Sequence, residues 1–219
     1  MNLSRQELLL NPIQMQQIKD ANILLIGVGG VGGAVAHMLV RAGISNLTIM
    51  DFDKVLQKRY SCRNYSSKEV SKEVIDKVLQ KVAIAPTAKN MQPHNILVIN
   101  GLDKVESIKD ACPSLYNAPL VFVLIGDKNR ECYLEINKRS LIETDLGIIG
   151  TYLMLSAESE GLNTCWVCRF DDKKLSKILK LEDNLQPFSL IIAGYESENS
   201  VPNERHTMRR QLNEYVKYM

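Results

Sequence analysis

The chain has 219 residues, 45% hydrophobic and 24% charged, with 27 basic against 25 acidic residues. This is globular composition of a size for one or two domains, and it excludes a disordered, collagen-like or disulfide-rich chain. The balanced charge has no long like-charge run, so neither nucleic acid nor an anionic membrane is an expected partner. The longest apolar run, about 118–126, is far short of the roughly 20 residues of a membrane span. Residues 1–7 do not follow the order of a signal peptide. Five cysteines in a chain of this length read as reduced thiols, and a cytoplasmic location is expected.

In chain order, the first 55 residues predict helix, strand, helix, strand. Asn22–Gly27 is an apolar run that suits a buried parallel strand, and Val31, Val35, Met38 and Leu39 follow helical spacing. Gly43 stops that helix and Leu47–Met50 forms a second strand, which completes one βαβ unit of Rossmann type. Glycine and aromatic usage then changes near residue 55. Six of the twelve glycines precede it and all eight tyrosines follow it, which predicts domains over 1–55 and 56–219. The remainder reads as α+β. A helix capped by Ser66 or Ser71 runs to about Ile84, and strands follow at Asn95–Ile99 and Leu120–Ile125. One long proline-free helical pattern extends from Glu131 to Glu160. Then come a strand at Cys165–Cys168, a helix at Lys173–Leu179, a strand at Phe188–Ala193 and a helical tail from Met208.

Gly27-Val28-Gly29-Gly30-Val31-Gly32 lies between a predicted strand and helix. Glycines there let backbone approach a phosphate at a helix N-terminus, and Asp51 or Asp53 is placed to accept from a ribose hydroxyl. With Arg41-Ala42-Gly43-Ile44 and Asp51-Phe52-Asp53-Lys54-Val55, this stretch resembles the start of ThiF/MoeB/HesA-type adenylyltransferases, which use ATP to adenylate a ubiquitin-like C-terminus. The resemblance covers about a quarter of the chain. It implies that Gly27, Gly29, Gly30, Gly32 and Asp51 are nucleotide-binding positions. That family continues with a nucleotide-binding Arg, an ATP-contacting Lys and zinc cysteines, where this chain has Leu56-Gln57-Lys58-Arg59-Tyr60-Ser61. Groups that stabilise a transferring adenylyl are not recognisable, and no adenylation is expected.

Residues 56–219 resemble the nitroreductase family of small FMN-dependent oxidoreductases, through five motifs in order. Lys58-Arg59-Tyr60-Ser61-Cys62-Arg63 matches the family's opening basic motif, and the resemblance implies that Arg59, Tyr60, Ser61 and Arg63 hold flavin phosphate and ring edge. Two guanidinium groups suit a phosphate dianion in any case. Ala85-Pro86-Thr87-Ala88-Lys89-Asn90-Met91-Gln92-Pro93 is similar to a family loop that reaches the flavin ring, often across a subunit boundary, through Pro86, Thr87, Asn90 and Gln92. The helix bearing Gly147 and Gly150 corresponds to one in the family's dimer interface. Gly161-Leu162-Asn163-Thr164-Cys165-Trp166 precedes Val167, Cys168 and Arg169, the candidate backbone donors to the reactive flavin nitrogen. Arg209, with Arg205 or Arg210 as substitutes, corresponds to a closing basic residue on the phosphate.

The implied activity is hydride transfer from NAD(P)H through FMN to a small acceptor such as a nitroaromatic or quinone, in a homodimer. No side chain is expected to act as nucleophile or general base, because the flavin carries the reaction. No metal site is expected, since Cys165 and Cys168 would point to opposite faces of a strand and no second Cys-x-x-Cys is present. His37, His94 and His206 read as surface polar residues. The competing reading is a ThiF-type nucleotide-binding remnant or partner-binding module led by residues 1–55.

Overall fold

The structure is a computed structural model that describes residues 10–26, 30–50 and 52–219. The chain divides into two compact units, Met1–Lys58 and Arg59–Met219.

The first unit contains α1 (Pro12–Asp20), β1 (Asn22–Ile26), α2 (Gly30–Arg41), β2 (Asn46–Met50) and α3 (Phe52–Lys58). The Asn11 side chain caps α1 in a capping box with Gln14, and Pro12 takes the first helical position, where its missing N–H costs nothing. Gly43, at φ 97°, ends the turn after α2 in the left-handed region. β1 and β2 then pair in parallel from Asn22 opposite Asn46 to Ile26 opposite Met50, giving the expected βαβ connection. Residue 55, where the composition changes, lies inside α3. Gly30 and Gly32 fall in the first turns of α2. Gly27, Gly29 and Asp51 lie outside the described residues.

The second unit is an antiparallel sheet with helices on both faces. Its elements are α4 (Lys72–Val82), β3 (His94–Asn100), α5 (Leu102–Glu106), β4 (Leu120–Asp127), β5 (Tyr133–Leu134), β6 (Arg139–Ser140), α6 (Ile142–Ser159), β7 (Asn163–Val167), α7 (Asp172–Leu179), β8 (Leu185–Gly194) and α8 (Leu212–Tyr215). The main sheet has the order β3-β4-β8-β7. β4 is central, and alternate side chains of its apolar run enter different layers. Val121, Val123 and Ile125 pack with Tyr60, Tyr65, Ile108 and Leu175. Leu120, Phe122 and Leu124 pack with Ile75 and Val78 of α4 and Ile149 and Leu153 of α6. The β4–β8 register shifts at Leu124/Ile125, opposite Pro187, which has no N–H to give the ladder. Ser71, not Ser66, caps α4 by accepting from the Val74 amide.

Two expected helices are shorter than the sequence pattern suggests. In place of one helix over 131–160, the β5–β6 hairpin precedes α6. The hairpin turns with Lys138 at φ 50°, and Ile136 is 94% exposed, so apolar residues there contribute no helical stripe. The tail is helical only over Leu212–Tyr215, and Arg205-His206 lies in a 3-10 turn, Glu204–His206. Met208 and Leu212 are both exposed, so no packed face stabilises a longer helix. Among the described residues, no helix is long and apolar enough to cross a membrane.

Candidate functional site

After α3 the chain runs extended along the ends of β7 and β8. Ser61 bridges Thr164 in parallel, the Cys62 amide donates to the Thr164 carbonyl at 3.0 Å, and Tyr65 bridges Glu196. Extended backbone alternates its side chains. Tyr60 and Cys62 are buried, while Arg59, Ser61 and Arg63 take the other side. The chain's far end meets them. Asn203 caps the 3-10 turn by accepting from the Arg205 amide at 3.1 Å, which sets Arg205 and His206 beside the first motif. Arg59, Tyr60, Ser61, Arg63, Asn203, Arg205, His206 and Arg209 line one cleft of about 360 Å³.

The cleft is strongly cationic. Among the described residues, none of Arg59, Arg63, Arg205 and Arg209 is in an ion pair. Arg63 donates to the Ser61 carbonyl at 3.3 Å, and Arg209 to the carbonyls of Met208 at 2.8 Å and Arg205 at 3.2 Å. The nearby carboxylate is already engaged: the Tyr60 hydroxyl donates to Glu196 Oε2 at 2.5 Å and also lies 2.8 Å from Ser200 Oγ. Burial, then the Glu196 carboxylate, pushes the Tyr60 phenol up, so it stays a neutral donor. His206 meets the Tyr60 ring edge-on at 6.4 Å. Burial also pushes up the Cys165 thiol beneath the cleft, against the charge of Arg63 and Arg59, and makes it a packing residue.

The structure thus brings together Arg59, Tyr60, Ser61, Arg63, Arg205 and Arg209 of the expected site. Arg210 is elsewhere, over the Tyr215 ring at 5.2 Å. Asn203 and His206 were not expected in the site. Their signal was position, inside the basic segment that closes the chain. The loop with Pro86, Thr87, Asn90 and Gln92 does not line this cleft. It forms a 3-10 turn, Ala88–Asn90, and its polar tips join each other, Gln92 Nε2 donating to Asn90 Oδ1 at 3.2 Å. Val167 is buried at the end of β7, while Cys168 and Arg169 are exposed just beyond it. Cys168 accepts the Trp166 indole N–H at 3.1 Å and lines a second cavity, of about 460 Å³, with Phe170, Phe188 and Leu146. Cys165 is buried within β7, and Cys168, just past its end, is exposed.

A ThiF family model matches residues 3–201, further along the chain than the glycine-loop motifs extend. A stretch of 40 residues, 18% of this chain, is 52% identical to ubiquitin-like modifier-activating enzyme 5 of Caenorhabditis briggsae, of which it spans 9%. The crystal structure of a nitroreductase family protein from Clostridium difficile 630 is 37% identical, with a TM-score of 0.72 over 77% of this chain and 98% of that one. An FMN-dependent nitroreductase from Clostridium difficile R20291 is 25% identical, with a TM-score of 0.60 over 76% of this chain and 98% of that one. A protein named NADH dehydrogenase/NAD(P)H nitroreductase from Methanothermobacter thermautotrophicus is 27% identical over 157 residues, 68% of this chain and 80% of its own. The chain therefore belongs to the ThiF family and, through relatives that match about as much of it as its second unit contains, to the nitroreductase family of NAD(P)H oxidoreductases.

Proposed function

We propose that the second unit binds FMN and passes hydride from NAD(P)H by way of the flavin to a nitroaromatic, quinone or similar small acceptor. The observation that carries this is the arginine cleft. Four guanidinium groups, without ion-pair partners among the described residues, converge on one cavity with the Ser61 hydroxyl. A phosphate dianion fits such a donor set, because guanidinium forks bind phosphate oxygens two at a time. Bound FMN would supply an electron carrier that takes a hydride and releases it to the acceptor. The chain's own residues would bind and orient. Arg59, Arg63, Arg205 and Arg209 hold the phosphate, and Tyr60, kept neutral by burial and its Glu196 contact, forms a wall beside them. The backbone of Val167, Cys168 and Arg169 faces the ring. Pro86, Thr87, Asn90 and Gln92 do not line this chain's cleft, so a second copy in a homodimer would bring them. Five free thiols suit a reducing compartment, and we place the protein in the cytoplasm.

The test is reconstitution of the full chain with FMN and with riboflavin, which lacks the phosphate. FMN is expected to bind far more tightly than riboflavin. Arg59→Ala or Arg209→Ala will weaken it by about 1.5–3 kcal/mol, the scale of a hydrogen bond to a charged group. Arg210→Ala will leave it unchanged. A folded sample that takes up no FMN overturns the proposal, and unchanged affinity in both cleft variants overturns the phosphate assignment.

The ThiF match favours a second reading for the first unit, as a nucleotide- or partner-binding segment. Its glycine loop offers phosphate binding, which is a separate demand from stabilising a transition state. We propose that it does not adenylate.

A further inference from the structure

Asp145 stands in the first turn of α6 with 1% of its surface exposed. Its Oδ1 accepts the Ala88 amide at 2.8 Å, while Oδ2 is buried without a partner among the described residues. A buried carboxylate oxygen with no donor is costly, so the residue calls for an explanation. The helix N-terminus offsets part of that cost, since negative charge is favoured in a first turn. What Asp145 gains is a hold on another segment, because the Ala88 amide opens the 3-10 turn Ala88–Asn90.

That turn closes on itself, the Asn90 and Met91 amides donating to the Thr87 and Ala88 carbonyls at 3.0 Å each, but it does so in strained backbone. Lys89, Asn90 and Gln92 have φ of 50°, 55° and 50°, in the left-handed region that disfavours residues bearing a Cβ. The bonds from the Gln92 amide to Thr87 Oγ1 and from Gln92 Nε2 to Asn90 Oδ1 tie the turn only to itself. Its ties to the body of the unit are Ala88 to Asp145, Met91 O to Arg130 Nε at 3.3 Å, and Pro93 O to the Asp127 amide at 2.7 Å. Arg130 and Asp127 hold the end of the turn, and both attach to its exit. The backbone before the turn is tied by the Ala85 amide to the Val82 carbonyl at 2.9 Å, and among the described residues Asp145 is the side chain that holds the start of the turn itself.

We infer that Asp145 is a positioning residue: it fixes the backbone of the 87–92 turn so that Asn90 and Gln92 present their amide groups in one arrangement. The anchoring stands on geometry by itself. Its consequence for activity rests on the reading above, in which this turn meets the flavin.

The test uses the full chain and two substitutions, with amide hydrogen exchange and FMN affinity as readouts. Asp145→Asn keeps a carbonyl oxygen for the Ala88 amide, and Asp145→Ala removes it. In Asp145→Ala the Ala88 amide is expected to exchange about tenfold faster while the amides of β4 are unchanged, as for loss of one hydrogen bond in a local opening. FMN affinity is expected to fall by about tenfold in the same variant, and Asp145→Asn to restore both to within about threefold of wild type. Unchanged exchange at Ala88 overturns the inference. An equal rise at Ala88 and throughout β4 also overturns it, in favour of a general structural role. Faster exchange confined to the turn, with FMN binding unaltered, upholds the anchor and overturns the turn's part in the flavin site.

Discussion

Gly150→Ala sets helix propensity against packing. Alanine in a helix interior is favoured over glycine by about 1 kcal/mol, so propensity alone makes the substitution stabilising. The space does not permit it. A Cβ at Gly150 would lie 2.3 Å from Trp166 Cη2, 2.4 Å from Cζ3 and 2.9 Å from Leu124 Cδ1. The indole has little room to yield, since it meets Phe188 edge-on at 6.4 Å and its N–H donates to Cys168. Overpacking of this kind costs about 1–3 kcal/mol, and a rigid ring on one side places Gly150→Ala in the upper part of that range. The net expectation is a loss of about 1–2 kcal/mol, a fall in Tm of roughly 2–8 °C for a chain of this size. Trp166 is the only tryptophan, so its fluorescence during thermal unfolding reports on the second unit alone. A double-mutant cycle with Trp166→Leu, followed by circular dichroism, isolates the contact, because removing the ring lets alanine regain its helical advantage. Gly150→Ala at or above wild-type stability would refute the reasoning.

Gly147 differs from Gly150 in that a Cβ added there would meet nothing within 4 Å, so Gly147→Leu is expected to keep the subunit fold while weakening self-association at least tenfold in sedimentation, if a second copy packs on α6. A wild-type protein that stays monomeric and still holds FMN tightly would remove the homodimer. Burial lowers His94 from its ordinary 6.5, with the Arg130 charge acting the same way and Asp145 opposing both. The unfolded chain then binds the proton more readily, so His94's contribution is present above about pH 6.5 and lost as pH falls through the folded value. The urea midpoint is expected to drop between about pH 7.5 and 5.5, and less so in His94→Gln; equal drops would refute it. ATP–pyrophosphate exchange with ubiquitin-like acceptor peptides is expected at background. Exchange abolished by Gly29→Val or Asp51→Ala would promote the adenylyltransferase reading.

The parts legible in the sequence are those where one residue type has one use. Leu120–Ile125 reads as a buried strand because both of its faces are covered, and Ser71 stands where the first turn of α4 needs an acceptor. The first and last basic motifs were legible too, and their convergence was implied only by the resemblance, because it depends on Ser61 pairing with Thr164 and on Asn203 capping a 3-10 turn. Arg209 and Arg210 are neighbours with the same chemistry, and only the backbone between them sends one to the cleft and the other to Tyr215. The hairpin before α6 escaped because lack of proline permits a helix without requiring one. Asp145 escaped because a lone acidic residue at a helix start looks like any other charge near a positive dipole end.

The contacts under the cleft join residues far apart in sequence: Tyr60 to Glu196 and to Ser200, 136 and 140 positions away. Loop-closure entropy opposes such contacts in an open chain, so they gain from the sheet that brings their ends together. The four-stranded sheet, complete at Gly194, can form before Arg205 and Arg209 come to lie beside Arg59 and Arg63. Four like charges then repel one another across the finished cleft. An anion that binds there stabilises only the fold in which these two segments have met, by mass action, and draws residues 203–209 down onto residues 59–63. Ligand supply thereby acts on the docking of residues 203–209 and leaves the apolar core, whose buried residues run to Ala193, to its own packing.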